Sequence, residues 1–255
     1  MVIWQQHVAE GRRNFFLCGS EFFCMKYKHL FFDLDHTLWD FDANARTTLE
    51  QMHIDMKLPE KGIDDFDRFH KNYLAHNERL WAEYRTGNIR QEELRLKRMW
   101  HCLRDFQIDD NELAMQMNEL FLQLLPTRNL LFPDTIEVLQ NLQSKGYQLH
   151  LITNGFEEVQ HNKLKNSGLA PFFSVVVTSE CSNSLKPQKE IFEFALAKTG
   201  ATVEESLMIG DALDVDVAGA LNVGMDAVHV NYNRVSQDIV PTYTIYHLRE
   251  LETFL

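Results

Sequence analysis

Five short apolar runs, at residues 30–32, 149–152, 175–177, 207–209 and 227–230, constrain the fold of this 255-residue chain more than any other feature. Each is too short for a helix, and the last four alternate with helix-spaced segments. That pattern predicts βαβ units and a parallel sheet buried on both faces. One intervening helix is marked at both ends: Pro133 suits its first turn, Ile136, Leu139 and Leu142 share a face, and Gly146 follows its end. The expected fold class is α/β, a doubly wound, Rossmann-like parallel-sheet core.

Between the first and second runs, residues 41–128 show helical spacing and no strand. Phe66, Phe69, Tyr73, Leu80 and Tyr84 trace one face, Leu96, Met99, Leu103 and Phe106 a second, and Leu113, Met117, Leu120 and Leu124 a third. An all-helical domain inserted into a core made of residues 25–40 and 129–255 is therefore expected, with these stripes as its own packing. Residues 1–24 read as an N-terminal extension, loose or a start-site artefact. Met25-Lys26-Tyr27-Lys28 opens directly onto the first run, and the apolar patch at 14–18 is shorter than the roughly 7 to 15 residues of a signal-peptide core.

With 37 acidic against 25 basic side chains, the formal net charge is −12. Such a field disfavours nucleic-acid polymers and anionic membrane surfaces, and no basic run offsets it. No apolar stretch approaches the roughly 20 residues of a membrane helix. Cysteines 18, 24, 102 and 181 form no Cys-x-x-Cys pair and suit reduced thiols in a cytoplasmic protein. If the substrate is an anion, its countercharge must be local: a metal, a lysine and helix N-termini.

Polar chemistry clusters where the apolar runs end, the edge at which open α/β sheets bind ligands. After the first run stand Asp33 and Asp35, the residue pair of an aspartate nucleophile with its own acid/base partner. After the second stand Thr153, Asn154 and Gly155, a hydroxyl and successive amides able to hold a phosphate, although strand-Thr-Asn-Gly is also an ordinary turn. Lys186 precedes Pro187, which suits the first position of a helix carrying Ile191, Phe192, Ala195 and Leu196. After the fourth run, Asp211, Asp214 and Asp216 suit a hard cation or, equally, helix capping.

Together, the Asp-x-Asp-x-Thr at 33–37, the Thr153-Asn154-Gly155, the Lys186-Pro187 and the Gly210-Asp211 with Asp216 resemble the four motifs of the haloacid dehalogenase superfamily, over residues 25–255. The insertion looks like that superfamily's helical cap. Residues 77–87, 152–156 and 186–192 are similar to its housecleaning pyrimidine 5'-nucleotidases. The resemblance implies a phosphomonoester hydrolase acting through an aspartyl-phosphate on Asp33, with Asp35 as acid and base. Mg²⁺ would be held by Asp33, the Asp35 carbonyl and Asp211. Thr153 and Asn154 would bind phosphate with Lys186, and Asp216 and Asp214 would support the site from behind. The implied partner is a small phosphomonoester, a nucleotide or a sugar phosphate, and the expected state is a monomer or weak homodimer.

Some residues depart from the superfamily pattern or choose within it. Ala212 stands where many relatives carry a hydroxyl, and Asn183 where Gly is usual, a position Asn tolerates in left-handed backbone. Asp35 disfavours dehalogenation, since a halide needs no proton and an alkoxide does. A sugar-phosphate or cofactor phosphatase, a phosphomutase, against which His36 argues mildly, and a non-catalytic phosphate-binding module stay open as alternatives. For specificity, Trp81, Tyr84 and Arg85 are candidate substrate contacts, the two aromatics being weighed against packing. Asp40, Asp42 and Asn44, where the chain leaves the core, are candidate contacts or hinge residues.

Overall fold

Successive residues of the first strand decide which layers can pack on it. The computed structural model describes residues 26–255, so the segment 1–24 lies outside the described residues. In β1 (His29–Phe32) Leu30 and Phe32 join one apolar cluster and Phe31 another, as strand alternation requires, and all three are fully buried. A strand apolar on both faces needs a layer on each.

Helices α1 (Phe41–Asp55), α2 (Phe66–Arg85), α3 (Gln91–Asp105) and α4 (Asn111–Leu124) fall between β1 and the next strand, followed by α5 (Thr135–Ser144). Then come β2 (Gln148–Thr153), α6 (Glu157–Asn166), β3 (Val175–Thr178), α7 (Ser179–Ser182), α8 (Lys189–Thr199), β4 (Ser206–Gly210), α9 (Ala218–Asn222), β5 (Asp226–Val230) and β6 (Tyr243–Ile245). The six strands form one parallel sheet in the order β3-β2-β1-β4-β5-β6. Val138, Leu139 and Leu142 of α5 and Leu164 of α6 pack on the Leu30 side, and Ile191, Phe192 and Ala195 of α8 with Ala220 of α9 on the Phe31 side. The fold is the doubly wound α/β class that the apolar runs predict. β6 was not among those runs, because three residues at a sheet edge carry too little periodicity to read.

Two prolines stand one step outside their expected places. Pro133 precedes α5, whose cap is Asp134 at φ 64°, while Gly146 follows the helix at φ 93° as expected. Pro187 precedes α8, because Gln188 is extended and caps the helix at Lys189. In the insertion, α3 packs between α2 and α4, which moves its buried stripe to Leu94, Arg98, Met99, Cys102 and Leu103 and leaves Leu96 exposed. Among the described residues no helix is long and apolar enough to cross a membrane.

The chain runs from β1 outward to β2 and β3, then returns to β4 on the other side of β1. Such a reversal opens a crevice at the carboxyl ends of the central strands. Phe32 pairs with both Leu151 and Ile209, and the Asp33 N–H donates to the Ile209 carbonyl at 2.9 Å, so the ends of β1, β2 and β4 lie side by side.

Candidate active site

Four of the residues singled out in the sequence meet in that crevice: Asp33 just past β1, Thr153 ending β2, Lys186 ahead of α8 and Asp211 just past β4. Lys186 is 1% exposed; its Nζ forms ion pairs with Asp33 and, at 2.7 Å, with Asp216, and donates to the Ile152 carbonyl at 2.8 Å. The Asn154 side chain aims this lysine: its Nδ2 donates to the Lys186 carbonyl at 3.0 Å and its Oδ1 accepts from the Lys186 N–H at 2.7 Å. That use of Asn154 was not legible beforehand, because it joins loops far apart in sequence. Asn183 takes the left-handed conformation expected of it, φ 51°. Thr153 Oγ1 accepts from the Gly155 N–H at 3.1 Å, which leaves its proton free to donate. Gly155 has no room for a side chain, since a Cβ there would stand 1.7 Å from Gln160 Nε2.

Asp35 is gripped by two residues the sequence reading missed. Lys163 Nζ reaches its Oδ1 at 2.5 Å and Gln160 Nε2 donates to its Oδ2 at 2.8 Å. The two lie three positions apart on α6 and share a helix face. Lys163 is 2% exposed and its Nζ also sits 4.2 Å from the centre of the Trp39 ring. Thr37, the last residue of the Asp-x-Asp-x-Thr pattern, gains a role the sequence does not assign: its hydroxyl donates to Asp211 Oδ1 at 2.8 Å and accepts from the Asp211 N–H at 3.0 Å.

Asp216 is buried on a π-helical turn, Leu213–Val217, and its Oδ2 accepts from the Ala212 N–H at 3.1 Å. Gly210 is required beneath it, as a Cβ would lie 2.3 Å from that oxygen. Asp214 corrects the expectation of a supporting role. The wider turn swings its side chain into solvent, away from the cleft that Asp211 and Asp216 line.

Burial, with Asp216 and Asp211 adding to it, pushes the Asp33 carboxyl well above the ordinary carboxylate range against the pull of Lys186. Asp211 is pushed up to about 7 by burial and then by Asp216. Asp35 goes the other way: burial would raise it, but the ammonium of Lys163 holds it below the usual range. Lys186, despite burial, is raised by Asp216 and Asp33 and stays charged.

The helical insertion forms the opposite wall of a cavity of about 630 Å³. Leu74, Asn77, Glu78, Trp81 and Arg85 of α2 line it at helical spacing, with Arg98 of α3. Trp81 and Arg85 therefore face the cleft as proposed. Tyr84 does not: one position round the helix, it packs edge-on to Phe156, 6.3 Å between centroids. Asp40 is corrected as a substrate contact, being the cap of α1 through the Ala43 N–H at 3.0 Å and absent from the cleft lining, but its N–H donates to the Leu130 carbonyl at 3.1 Å where the chain leaves the core, and Asp42 faces the cleft. Asn44 ties the two connections together. Its side chain bonds the Asp40 carbonyl and both the carbonyl and N–H of Leu130, joining the two segments that connect insertion and core.

The family model of the haloacid dehalogenase-like hydrolases matches residues 27–224. The chain belongs to that family. It is 32% identical over 231 residues to the pyrimidine 5'-nucleotidase PynA of Streptococcus pneumoniae, covering 89% of this chain and 94% of that one. It is 31% identical over 234 residues to the pyrimidine 5'-nucleotidase YjjG of Escherichia coli, covering 91% and 99%. Among solved structures it resembles the putative hydrolase YfnB of Bacillus subtilis bound to magnesium, at 28% identity and a TM-score of 0.81, covering 89% of this chain and 98% of that one.

This hydrolase also carries a donor set suited to a hard cation. One carboxylate oxygen each from Asp33, Asp211 and Asp216 lie within 4.8 Å of one another. Among the described residues, Lys186 is the ammonium that forms ion pairs with this group, so negative charge is left over, which the raised Asp33 and Asp211 express. An oxygen-liganded divalent ion fits that excess.

Proposed function

We propose that this hydrolase is a Mg²⁺-dependent phosphomonoesterase acting through an aspartyl-phosphate, with nucleoside 5'-monophosphates of pyrimidines as substrates. The observation that carries the reading is the convergence of Asp33, Asp35, Thr153, Lys186 and Asp211 on one cleft whose far wall is the insertion. Likeness to two pyrimidine 5'-nucleotidases over nearly their whole length supports the choice of substrate. Asp33, the Asp35 carbonyl and Asp211 would hold Mg²⁺, which neutralises phosphate charge when bound.

Asp33 attacks phosphorus: its carboxylate O–P bond forms as the P–O bond to the leaving group breaks. Thr153 donates to a phosphoryl oxygen, and Lys186, aimed by Asn154, offsets charge beside the nucleophile. Asp35 passes a proton to the departing oxygen. It begins ionised under Lys163, so this proton is drawn through the Lys163–Asp35 pair. In the second half Asp35 takes a proton from water, which restores the Lys163–Asp35 pair, and the water oxygen bonds to phosphorus as the Asp33 O–P bond breaks.

A steady-state phosphate-release panel tests the reading with dUMP, dTMP, CMP, AMP, sugar phosphates, flavin mononucleotide and p-nitrophenyl phosphate, each with Mg²⁺ and with chelator. The expected outcome is Mg²⁺-dependent turnover with kcat/KM for pyrimidine nucleotides at least roughly 10-fold above AMP. Equal, feeble activity across nucleotides and sugar phosphates would leave only a general phosphatase.

A further inference from the structure

Arg98 is the least satisfied cation among the described residues. It is 4% exposed, lines the cleft from α3, and has no carboxylate within ion-pair distance among the described residues. Its Nη1 donates to Asn77 Oδ1 at 3.2 Å and lies at 3.5 Å from the Tyr73 hydroxyl, while Nε and Nη2 are buried without a partner. The guanidinium rests near the Phe121 ring, 5.5 Å from its centre. A buried charge without a counterion is among the costlier features a fold can retain, and unpaired buried donors add to that cost.

Which nitrogens are left unpaired carries the inference. Nε and Nη2 form one edge of the guanidinium, the side-on fork whose two parallel N–H groups grip a single acceptor group. Nη1, the nitrogen on the other side, is the one fixed by Asn77 and Tyr73. The protein therefore fixes the guanidinium plane through Nη1 and leaves the Nε/Nη2 edge without a partner. The phosphate end of the cleft has its own cation, Lys186, on the core wall. Arg98 belongs to the opposite wall, where the leaving group of a substrate held at Asp33 must lie.

We propose that Arg98 is a specificity-determining residue whose Nε/Nη2 edge donates to a carbonyl oxygen of the leaving group, and that this oxygen is the C2 carbonyl of a pyrimidine base. The choice of oxygen rests on the pyrimidine nucleotidase reading. The C2 carbonyl is the acceptor that cytosine, uracil and thymine share, whereas position 4 of cytosine is an amino donor that would meet donors. Adenine carries no carbonyl and leaves the fork unpaired. Asn77 and Tyr73 act as positioning residues for the guanidinium.

The test compares wild type, Arg98→Lys and Arg98→Met on UMP, AMP and p-nitrophenyl phosphate, with inorganic phosphate as a product inhibitor. Both variants should lose roughly 10- to 100-fold in kcat/KM for UMP, mainly through KM, and keep p-nitrophenyl phosphate turnover and the phosphate inhibition constant within about 3-fold. Lysine keeps the charge and loses the fork, so full activity of Arg98→Lys on UMP would overturn the proposal. So would equal losses on all substrates, the mark of a structural role. A second measurement needs no variant: wild type should turn over 2-thio-UMP roughly 10-fold less efficiently than UMP and 4-thio-UMP about as well, and the reverse order would overturn the assignment to the C2 carbonyl. The two readings fail separately. Pyrimidine preference that survives in Arg98→Met defeats the role of Arg98 alone. Absence of that preference in wild type defeats the nucleotidase reading, and a selective loss on the best substrate then still supports Arg98 as the leaving-group receptor.

Discussion

The two walls of the cleft are built on opposite principles. On the core wall, charged groups answer one another: Lys186 binds Asp33 and Asp216, Lys163 and Gln160 bind Asp35, and Thr37 binds Asp211. On the insertion wall, Arg98 keeps a free edge, and Trp81 and Arg85 line the cleft half-buried. A wall whose side chains mostly hold one another in place fixes the geometry of one reaction, since little reorganises when substrate arrives. A wall with unpaired donors gains most from an occupant, so it discriminates among leaving groups. On the proposed function, chemistry and selectivity fall to different segments of the chain, which are joined around Asn44.

The largest break in that division comes from the nucleophile. Asp33→Asn should lower kcat on every phosphomonoester by at least roughly 10³-fold while the protein stays folded, because a neutral amide suits a site that already disfavours the carboxylate. Turnover numbers and a thermal melt check both halves. Residual activity near wild type would move the nucleophile elsewhere on the core wall.

A smaller but more discriminating effect is expected at Lys163. If the Lys163–Asp35 pair supplies the leaving-group proton, Lys163→Met should cost roughly 10²-fold on nucleotides, whose alkoxide needs that proton, and under about 10-fold on p-nitrophenyl phosphate, whose phenolate does not. Equal losses on both would show that Lys163 positions Asp35 or the phosphate and carries no proton. Arg98 and Lys163 then give distinct signatures: one sorts substrates by base, the other by leaving-group basicity.

The same division explains what was legible in the sequence. Asp33, Thr153, Lys186 and Asp211 each stand at or beside the end of a strand or helix within a short local pattern, so order along the chain was enough to propose them. Lys163 and Gln160 were missed, and Thr37 was given no role, because what they do depends on a partner on another segment, and nothing local distinguishes Lys163 from the other lysine of α6, Lys165. Asp214 was overread because a π-helical turn, not an α-helical one, sets which of the closely spaced aspartates points inward. On the insertion wall the stripes of α2 and α3 identified helices, but a helix packed on two sides has no single inward face. Leu96 was placed wrongly and Arg98 was hidden among apolar neighbours for that reason, whereas Tyr84 packs against Phe156 as its stripe predicts.

The smallest expected effect separates charge repulsion from the rest of the core wall. Asp211 is pushed up to about 7 in the metal-free protein, against an ordinary carboxylate value near 4. A carboxyl raised on folding binds its proton more tightly in the folded state, so its contribution to stability is greatest below pH about 4 and is lost as pH rises towards 7. Buried His29, His150 and His229 are lowered, which tilts stability the opposite way below about pH 6.5, so the melting temperature of wild type alone mixes the two. The difference between Asp211→Asn and wild type removes the histidines. Without metal, the variant should gain a few degrees in Tm relative to wild type between pH 5 and pH 8, at about 2–4 °C per kcal/mol for a chain of this size. Mg²⁺ should raise the Tm of wild type more at pH 8 than at pH 5, where protons compete for the same oxygens, and should do little for the variant. A pH-independent difference would mean that Asp211 is not strained by its neighbours, and the case for a cation held by Asp33 and Asp211 would lose its electrostatic support.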